Sequence, residues 1–131
     1  MTRSVLHVLI IEDEPILAKN ICAYLVRYGY VVRIATTAEA GLSELENFNP
    51  DIIVLDFNLP GMDGLEALTK IHAIHRQIKV IMMTGHGSID LAVKAMRAGA
   101  SDFVTKPISV GNLRKKLEQI VIDARREKSL L

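Results

Sequence analysis

Three acids, a threonine and a lysine stand out in this chain because each lies where a strand-like run gives out. Ile52-Ile53-Val54-Leu55 runs straight into Asp56, and the chain then breaks through Asn58, Pro60, Gly61 and Gly64. An apolar run bounded by turn signals reads as a buried strand of a parallel sheet, so Asp56 falls at a strand's C-terminal tip. Val5 to Ile11 ends the same way in Glu12-Asp13, Lys79 to Thr84 closes on its threonine, and Asp102 to Thr105 meets Lys106. In open α/β sheets that edge is where ligands bind. Three crowded carboxylates repel and resist joint ionisation. Lys106 brings their formal charge from −3 to −2, and a divalent cation would bring it to zero. Oxygen ligands favour Mg²⁺, which takes one or two carboxylates, keeps several waters and binds phosphate oxygens. Thr84 offers those oxygens a hydroxyl and Lys106 an ammonium. The set suits phosphoryl transfer, where positioning and charge neutralisation carry most of the catalysis, with Asp56 the candidate nucleophile for an aspartyl phosphate.

The elements that must position these residues follow from periodicity. The first strand, Val5 to Ile11, leads through Glu14-Pro15 into a helix with Leu17, Ile21, Leu25 and Tyr28 on one stripe, stopped by Gly29. Tyr30 to Ala35 is the second strand. Thr36 with Glu39 three residues on forms a capping-box pattern ahead of the stripe Ala38, Leu42, Leu45. Asn49-Pro50 turns into the third strand, ending at Asp56. A third helix carries Leu65, Leu68 and Ile71 and runs to about His75. Lys79 to Thr84 is the fourth strand. Ser88 is a candidate cap for a fourth helix striped by Ile89, Ala92, Val93 and Met96. Asp102 to Thr105 is the fifth strand, and Ser109 caps a fifth helix with Val110, Leu113, Leu117, Ile120, Val121 and Ala124 on one face. Five strands alternating with five helices predict an α/β fold. Its core is a doubly wound five-stranded parallel sheet with right-handed crossovers and helices on both faces. Flavodoxin-like order 2-1-3-4-5 suits this size and puts the chemically blank tip at Ala35 on an edge, away from the switch point beside strands 1 and 3.

Composition bounds the function. A chain of 131 residues suits one core, and half of it being hydrophobic argues against disorder. A net charge of +1 gives no general attraction to nucleic acid or anionic membrane. No apolar run approaches the roughly 20 residues of a spanning helix, and no signal-peptide pattern precedes the first strand. The single cysteine, Cys22, excludes an internal disulfide and reads as a packing residue, so a cytoplasmic location is expected. Glu14 and Asp63 read as loop or helix-start residues rather than ligands. His7, His72, His75 and His86 show no ligand pairing. Gly85-His86-Gly87 is too short for a phosphate loop. Lys115-Lys116 and Arg125-Arg126 with Lys128 read as a solvated helix face, not a DNA contact.

Taken together, Glu12-Asp13, Asp56, Thr84 and Lys106-Pro107 resemble the receiver domain of two-component response regulators, over the chain to about residue 122. The stretch Met83 to Asp90, followed by Ala92 to Ala100, is similar to the receivers of NtrC-type transcriptional activators and of the FixJ group. The resemblance implies that Asp56 takes a phosphoryl group from the phosphohistidine of a sensor histidine kinase. It implies that Glu12, Asp13, Asp56 and the backbone carbonyl of Asn58 hold Mg²⁺, and that Lys106 contacts the phosphate. Thr84 and Phe103 would be the switch pair, and the Lys106–Pro107 bond would be cis. Glu12 stands where aspartate is commoner, and Phe103 where tyrosine is frequent. Residues 1–122 would be the receiver, and 123–131 an extension of the fifth helix or the start of a linker to an effector. The expected function is a phosphorylation switch rather than an enzyme acting on a separate metabolite. It would control a downstream, transcriptional effector and could pair with its own copy on phosphorylation. The sequence argues against three alternatives. A haloacid-dehalogenase-type phosphohydrolase needs a second acid where Asn58 stands. A flavodoxin-type carrier needs a hydroxyl- and glycine-rich loop where Glu12-Asp13-Glu14-Pro15 stands. A pseudo-receiver would lack part of the acid set.

Overall fold

A computed structural model describes residues 5–85 and 89–129. Strands β1 (His7–Ile11), β2 (Val31–Ala35), β3 (Ile52–Asp56), β4 (Lys79–Thr84) and β5 (Asp102–Thr105) alternate with helices α1 (Pro15–Arg27), α2 (Ala38–Phe48), α3 (Gly64–Ile74), α4 (Ile89–Arg97) and α5 (Val110–Ser129). All strand pairs are parallel, in the order β2-β1-β3-β4-β5. This is the doubly wound, flavodoxin-like sheet that the alternation predicts. Ile11 pairs with Leu55, Asp56 with Met83 and Thr84 with Thr105. That register brings Glu12, Asp56, Thr84 and Lys106 to one edge within two residues of each other along the strands.

The core has two layers because side chains alternate across a strand. Leu9, Ile11, Ile53, Leu55, Val80 and Met82 meet α2, α3 and α4. Val8, Ile10, Ile52, Val54, Ile81 and Met83 meet α1 and α5. Strand β3 is buried along its whole length, as a central strand covered on both faces must be. The α5 stripe is also as expected: Leu113, Leu117, Ile120 and Val121 are buried, and Asn112 N–H donates to Ser109 Oγ at 3.2 Å.

Three readings change. The cap of α2 is Thr37, not Thr36: its hydroxyl accepts from Ala40 N–H at 3.0 Å. The buried positions Ala38, Gly41, Leu45 and Phe48 fix the helix start, which puts the cap one residue later. Gly41 faces β1 so closely that a Cβ there would lie 2.8 Å from Ile11 Cγ1. Second, the α4 stripe is not uniformly buried. Ala92 and Ala95 are covered, whereas Ile89 is 79% exposed, Val93 42% and Met96 43%. The helix lies against β4 and β5 through its two alanines, so the larger apolar residues project beyond that contact. Third, β1 and β2 start at His7 and Val31, because Val5 is exposed and Tyr30 N–H bonds back to Leu25 O at the end of α1. The candidate cap Ser88 and the loop residue His86 lie outside the described residues. Among the described residues no helix is long and apolar enough to cross a membrane.

Candidate functional site

The end of β1 delivers the first acids. Glu12 N–H donates to Ala35 O at 3.0 Å, which prolongs the ladder by one residue and turns the side chain inward, where it is fully buried. Glu12 Oε2 accepts from Glu14 N–H at 3.0 Å, and Oε1 lies 3.0 Å from Lys106 Nζ. Asp13, next along the loop, is exposed. Strand β3 ends on Asp56, 2% exposed, whose Oδ1 accepts from Asn58 N–H at 3.2 Å and whose Oδ2 lies 3.3 Å from Lys106 Nζ. The turn behind it needs glycine at residue 64, where a Cβ would sit 2.7 Å from Phe57 Cα and closer still to the Asp56 carbonyl. Asp63 caps α3, accepting from Glu66 N–H at 2.9 Å, so it belongs to the helix start as its sequence suggests.

Strands β4 and β5 supply the other side. Thr84 is fully buried and its hydroxyl donates to Val104 O at 3.4 Å. Lys106 N–H donates to Thr84 O at 2.9 Å, and the Lys106–Pro107 bond is cis. One ammonium thus spans two buried carboxylates, held by a backbone tied to the neighbouring strand tip. Burial drives the Glu12 carboxyl up to about 7, against the pull of Glu14 N–H and Lys106, and the Asp56 charge pushes the same way as burial. Burial alone would lower the Lys106 ammonium, but Glu12 and Asp56 outweigh it and the net direction is upward.

The donor set fits a hard divalent cation. Glu12, Asp13 and Asp56 each present an oxygen within 4.8 Å of the others. All three are carboxylates, Asp13 opens the cluster to water, and a single lysine leaves their charge unbalanced. Asn58, the further ligand the family resemblance implies, contributes its N–H to Asp56.

Phe103 is neither buried core nor free surface. Its half-buried ring packs on the α4 side of the sheet and lines an apolar groove of about 470 Å³ with Ile89, Ala92, Val93 and Met96. Lys116 corrects the sequence reading. Instead of standing on a solvated face, its Nζ lies 3.1 Å from Asp102 Oδ2 and 5.8 Å from the centre of the Phe103 ring. The signal available in the sequence was weak: Lys116 is three residues past Leu113 and next to Leu117, at the margin of the buried stripe. The histidines make no metal cluster among the described residues. His7 stacks on Phe48 at 5.2 Å, and His72 Nε2 lies 3.2 Å from Ile78 O.

A five-stranded parallel sheet in this order, with acids at β1 and β3, a hydroxyl at β4 and a lysine before a cis proline at β5, has the fold and carries the residue set on which the receiver resemblance rests. Residues 8–118 match the model of the response regulator receiver domain, and the chain belongs to that family, within two-component signalling. It is 36% identical over 119 residues to the regulatory protein LuxO of Vibrio vulnificus, spanning 91% of this chain and 26% of LuxO. It is 32% identical over 118 residues to the transcriptional regulatory protein FixJ of Bradyrhizobium diazoefficiens, spanning 90% of this chain and 58% of FixJ. Among solved structures, NtrX from Brucella abortus superposes with a TM-score of 0.91 at 30% identity, covering 96% of this chain and 29% of NtrX. The receiver of a LuxO repressor from Vibrio parahaemolyticus gives 0.86 at 32% identity, covering 95% of this chain and 96% of that one. The chain therefore spans about a quarter of the length of LuxO and NtrX.

Proposed function

We propose that Asp56 is the phosphoacceptor of a two-component switch. The observation that carries this is Lys106 Nζ, 3.0 Å from Glu12 and 3.3 Å from Asp56 at the one sheet edge where the acids collect. The donor is the phosphohistidine of a sensor histidine kinase. An Asp56 carboxylate oxygen attacks phosphorus, the phosphorus–nitrogen bond breaks, and the electron pair leaves with the imidazole, which takes up a proton. Asn58 N–H, bonded to Oδ1, limits rotation of the attacking carboxylate, which favours a reactive geometry. Lys106 is placed to contact the phosphoryl oxygens as charge builds on them. Glu12, Asp13, Asp56 and the carbonyl of Asn58 would hold Mg²⁺, which supplies charge neutralisation at the phosphoryl group. Burial of Asp56 limits water at the acyl phosphate until a molecule is admitted to hydrolyse it and regenerate the carboxylate. The domain thus acts on itself and is not an enzyme for a separate metabolite.

The output follows from Thr84 and Phe103. A phosphoryl group on Asp56 offers the Thr84 hydroxyl a charged acceptor in place of Val104 O, 3.4 Å away. Movement of that hydroxyl makes room for the Phe103 ring and remodels the face of α4, β5 and α5. Phe103 has no hydroxyl, so its part is steric. That face would control a transcriptional effector in the cytoplasm, in the same chain or a separate one, and could support a homodimer on phosphorylation. Residues 1–122 act as the receiver, and 123–131 are an extension of α5 or the start of a linker to an effector. No contact to nucleic acid or membrane is assigned to this domain. The test is incubation with a small acyl-phosphate donor, with and without Mg²⁺, followed by intact mass and site mapping. One phosphoryl group on Asp56, dependent on the metal, is expected. Labelling at another carboxylate, or none, overturns the reading.

A further inference from the structure

We propose that Lys116, held by Asp102 and lying over the Phe103 ring, is a latch that biases the switch aromatic towards its groove-lining position. The inference rests on the switch reading of Phe103. It adds two positioning residues, neither of which touches the phosphoryl site. Strand β5 is the edge of the sheet, so among the described residues no further strand flanks Phe103 in the sheet plane. Asp102 opens that strand and uses both carboxylate oxygens locally. Its Oδ1 accepts the Phe103 N–H at 2.8 Å, and its Oδ2 receives Lys116 Nζ at 3.1 Å. Asp102 therefore fixes the backbone of the switch residue and, through the same carboxylate, holds a cation 5.8 Å from its ring centre. Lys116 reaches these partners from α5, around the strand edge. A cation near an aromatic ring is attracted by the ring's quadrupole within about 6 Å. The attraction exists only while the ring stays on the groove side, so it weighs one Phe103 position against the other without touching Asp56.

A bland alternative is that Lys116 only blunts an exposed edge strand. The two differ in what the Phe103 ring does. Side-chain to backbone couplings on carbon-labelled phenylalanine report the Phe103 rotamer populations in wild type, Lys116→Met, Lys116→Arg and Asp102→Asn, before and after phosphorylation by an acyl phosphate with Mg²⁺. Lys116→Met keeps the aliphatic stem and removes the charge. Loss of a partly exposed cation–aromatic contact should raise the minor rotamer about two- to fivefold in the unphosphorylated protein. Asp102→Asn should do the same, whereas Lys116→Arg should stay near wild type, and all should still accept one phosphoryl group. Unchanged populations in Lys116→Met and Asp102→Asn overturn the latch alone. So does an arginine variant that behaves like the methionine one, because keeping the positive charge would then fail to keep the bias. If phosphorylation fails to move Phe103 in wild type, the switch reading falls and the latch with it.

Discussion

Helices α1 and α4 flank the same sheet and differ in what they bury. Helix α1 puts Ala18, Ile21 and Leu25 into the core and leads out of the acid-bearing tip of β1. Helix α4 buries two alanines and leaves Ile89, Val93 and Met96 on an open apolar groove. The chemical half of the molecule is thus built on deep contacts, with buried carboxylates tied by backbone N–H groups and one lysine. The proposed output half rests on shallow ones. A phosphoryl site needs fixed groups, whereas a switch face needs an element that can shift at modest cost, and shallow packing provides that.

Truncation in the two helices breaks or sharpens this contrast with the largest effect. Ile21→Ala in α1 removes a fully buried side chain and should cost about 2–5 kcal/mol in denaturant unfolding. Ile89→Ala in α4 removes one that is 79% exposed and should change stability by less than about 0.5 kcal/mol. Similar costs at both sites would show that α4 is anchored as firmly as α1 and cannot serve as the mobile face.

Next in size is a pH effect confined to the acid pocket. The Glu12 carboxyl rises from 4.5 to about 7 because the fold buries it. Below the lower value it is neutral in both folded and unfolded chains and contributes no difference. Between about 4.5 and 7 the unfolded chain ionises while the folded one stays protonated, so stability falls as pH rises, and it levels off above about 7. The total is on the order of 3 kcal/mol. Glu12→Gln lacks this slope, so the difference between wild type and variant, from melts in chelator across that range, isolates it. A flat difference would mean that Glu12 is solvated, and the contrast between a tight pocket and a loose face would lose one side.

The same contrast explains what was legible in the sequence. Apolar runs ending in Glu12, Asp56 and Thr84 identify three strand tips because a two-face-buried strand must be apolar and its polar end is conspicuous, whereas Lys106 is marked by the short β5 before it and the proline after it. The site is then assembled by register alone. The α4–β5 face was less legible. The stripe Ile89, Ala92, Val93, Met96 has helical spacing, but spacing cannot say whether the apolar side is covered, and here the sheet ends at β5. Lys116 was missed because its partners, Asp102 and the Phe103 ring, are 14 and 13 positions away and meet it only when α5 folds back along β5. Thr36 against Thr37 was a choice between two competent caps, decided by which positions of α2 the core covers.

The smallest predicted effect tests the charge balance on which the pocket depends. Without metal, Glu12, Asp13 and Asp56 lie close together, and Lys106, shared between Glu12 and Asp56, offsets part of their repulsion. Asp56→Asn removes one like charge and keeps an oxygen for the Asn58 N–H. It gives up one contact of Lys106, which retains Glu12 at 3.0 Å. It also removes the charge that helps to push the Glu12 carboxyl upward, so the pH window of the previous comparison should narrow from its upper end. In chelator near neutral pH the variant should be more stable than wild type by about 1 kcal/mol. Mg²⁺ binding to the folded site alone stabilises by RT ln(1 + [L]/Kd), roughly 1.4 kcal/mol at ten times Kd. The variant has lost a ligand and a charge, so its gain at the same concentration should be smaller. The two differences must have opposite signs: Asp56→Asn more stable in chelator, less responsive to Mg²⁺. Denaturant melts of both proteins in chelator and in saturating Mg²⁺ supply the four values. If the variant is less stable in chelator, the Lys106–Asp56 pair outweighs the repulsion and the pocket is not the strained acid cluster described here. If the Mg²⁺ gain is unchanged, Asp56 is not a metal ligand, and Glu12 with Asp13 would have to hold the ion alone.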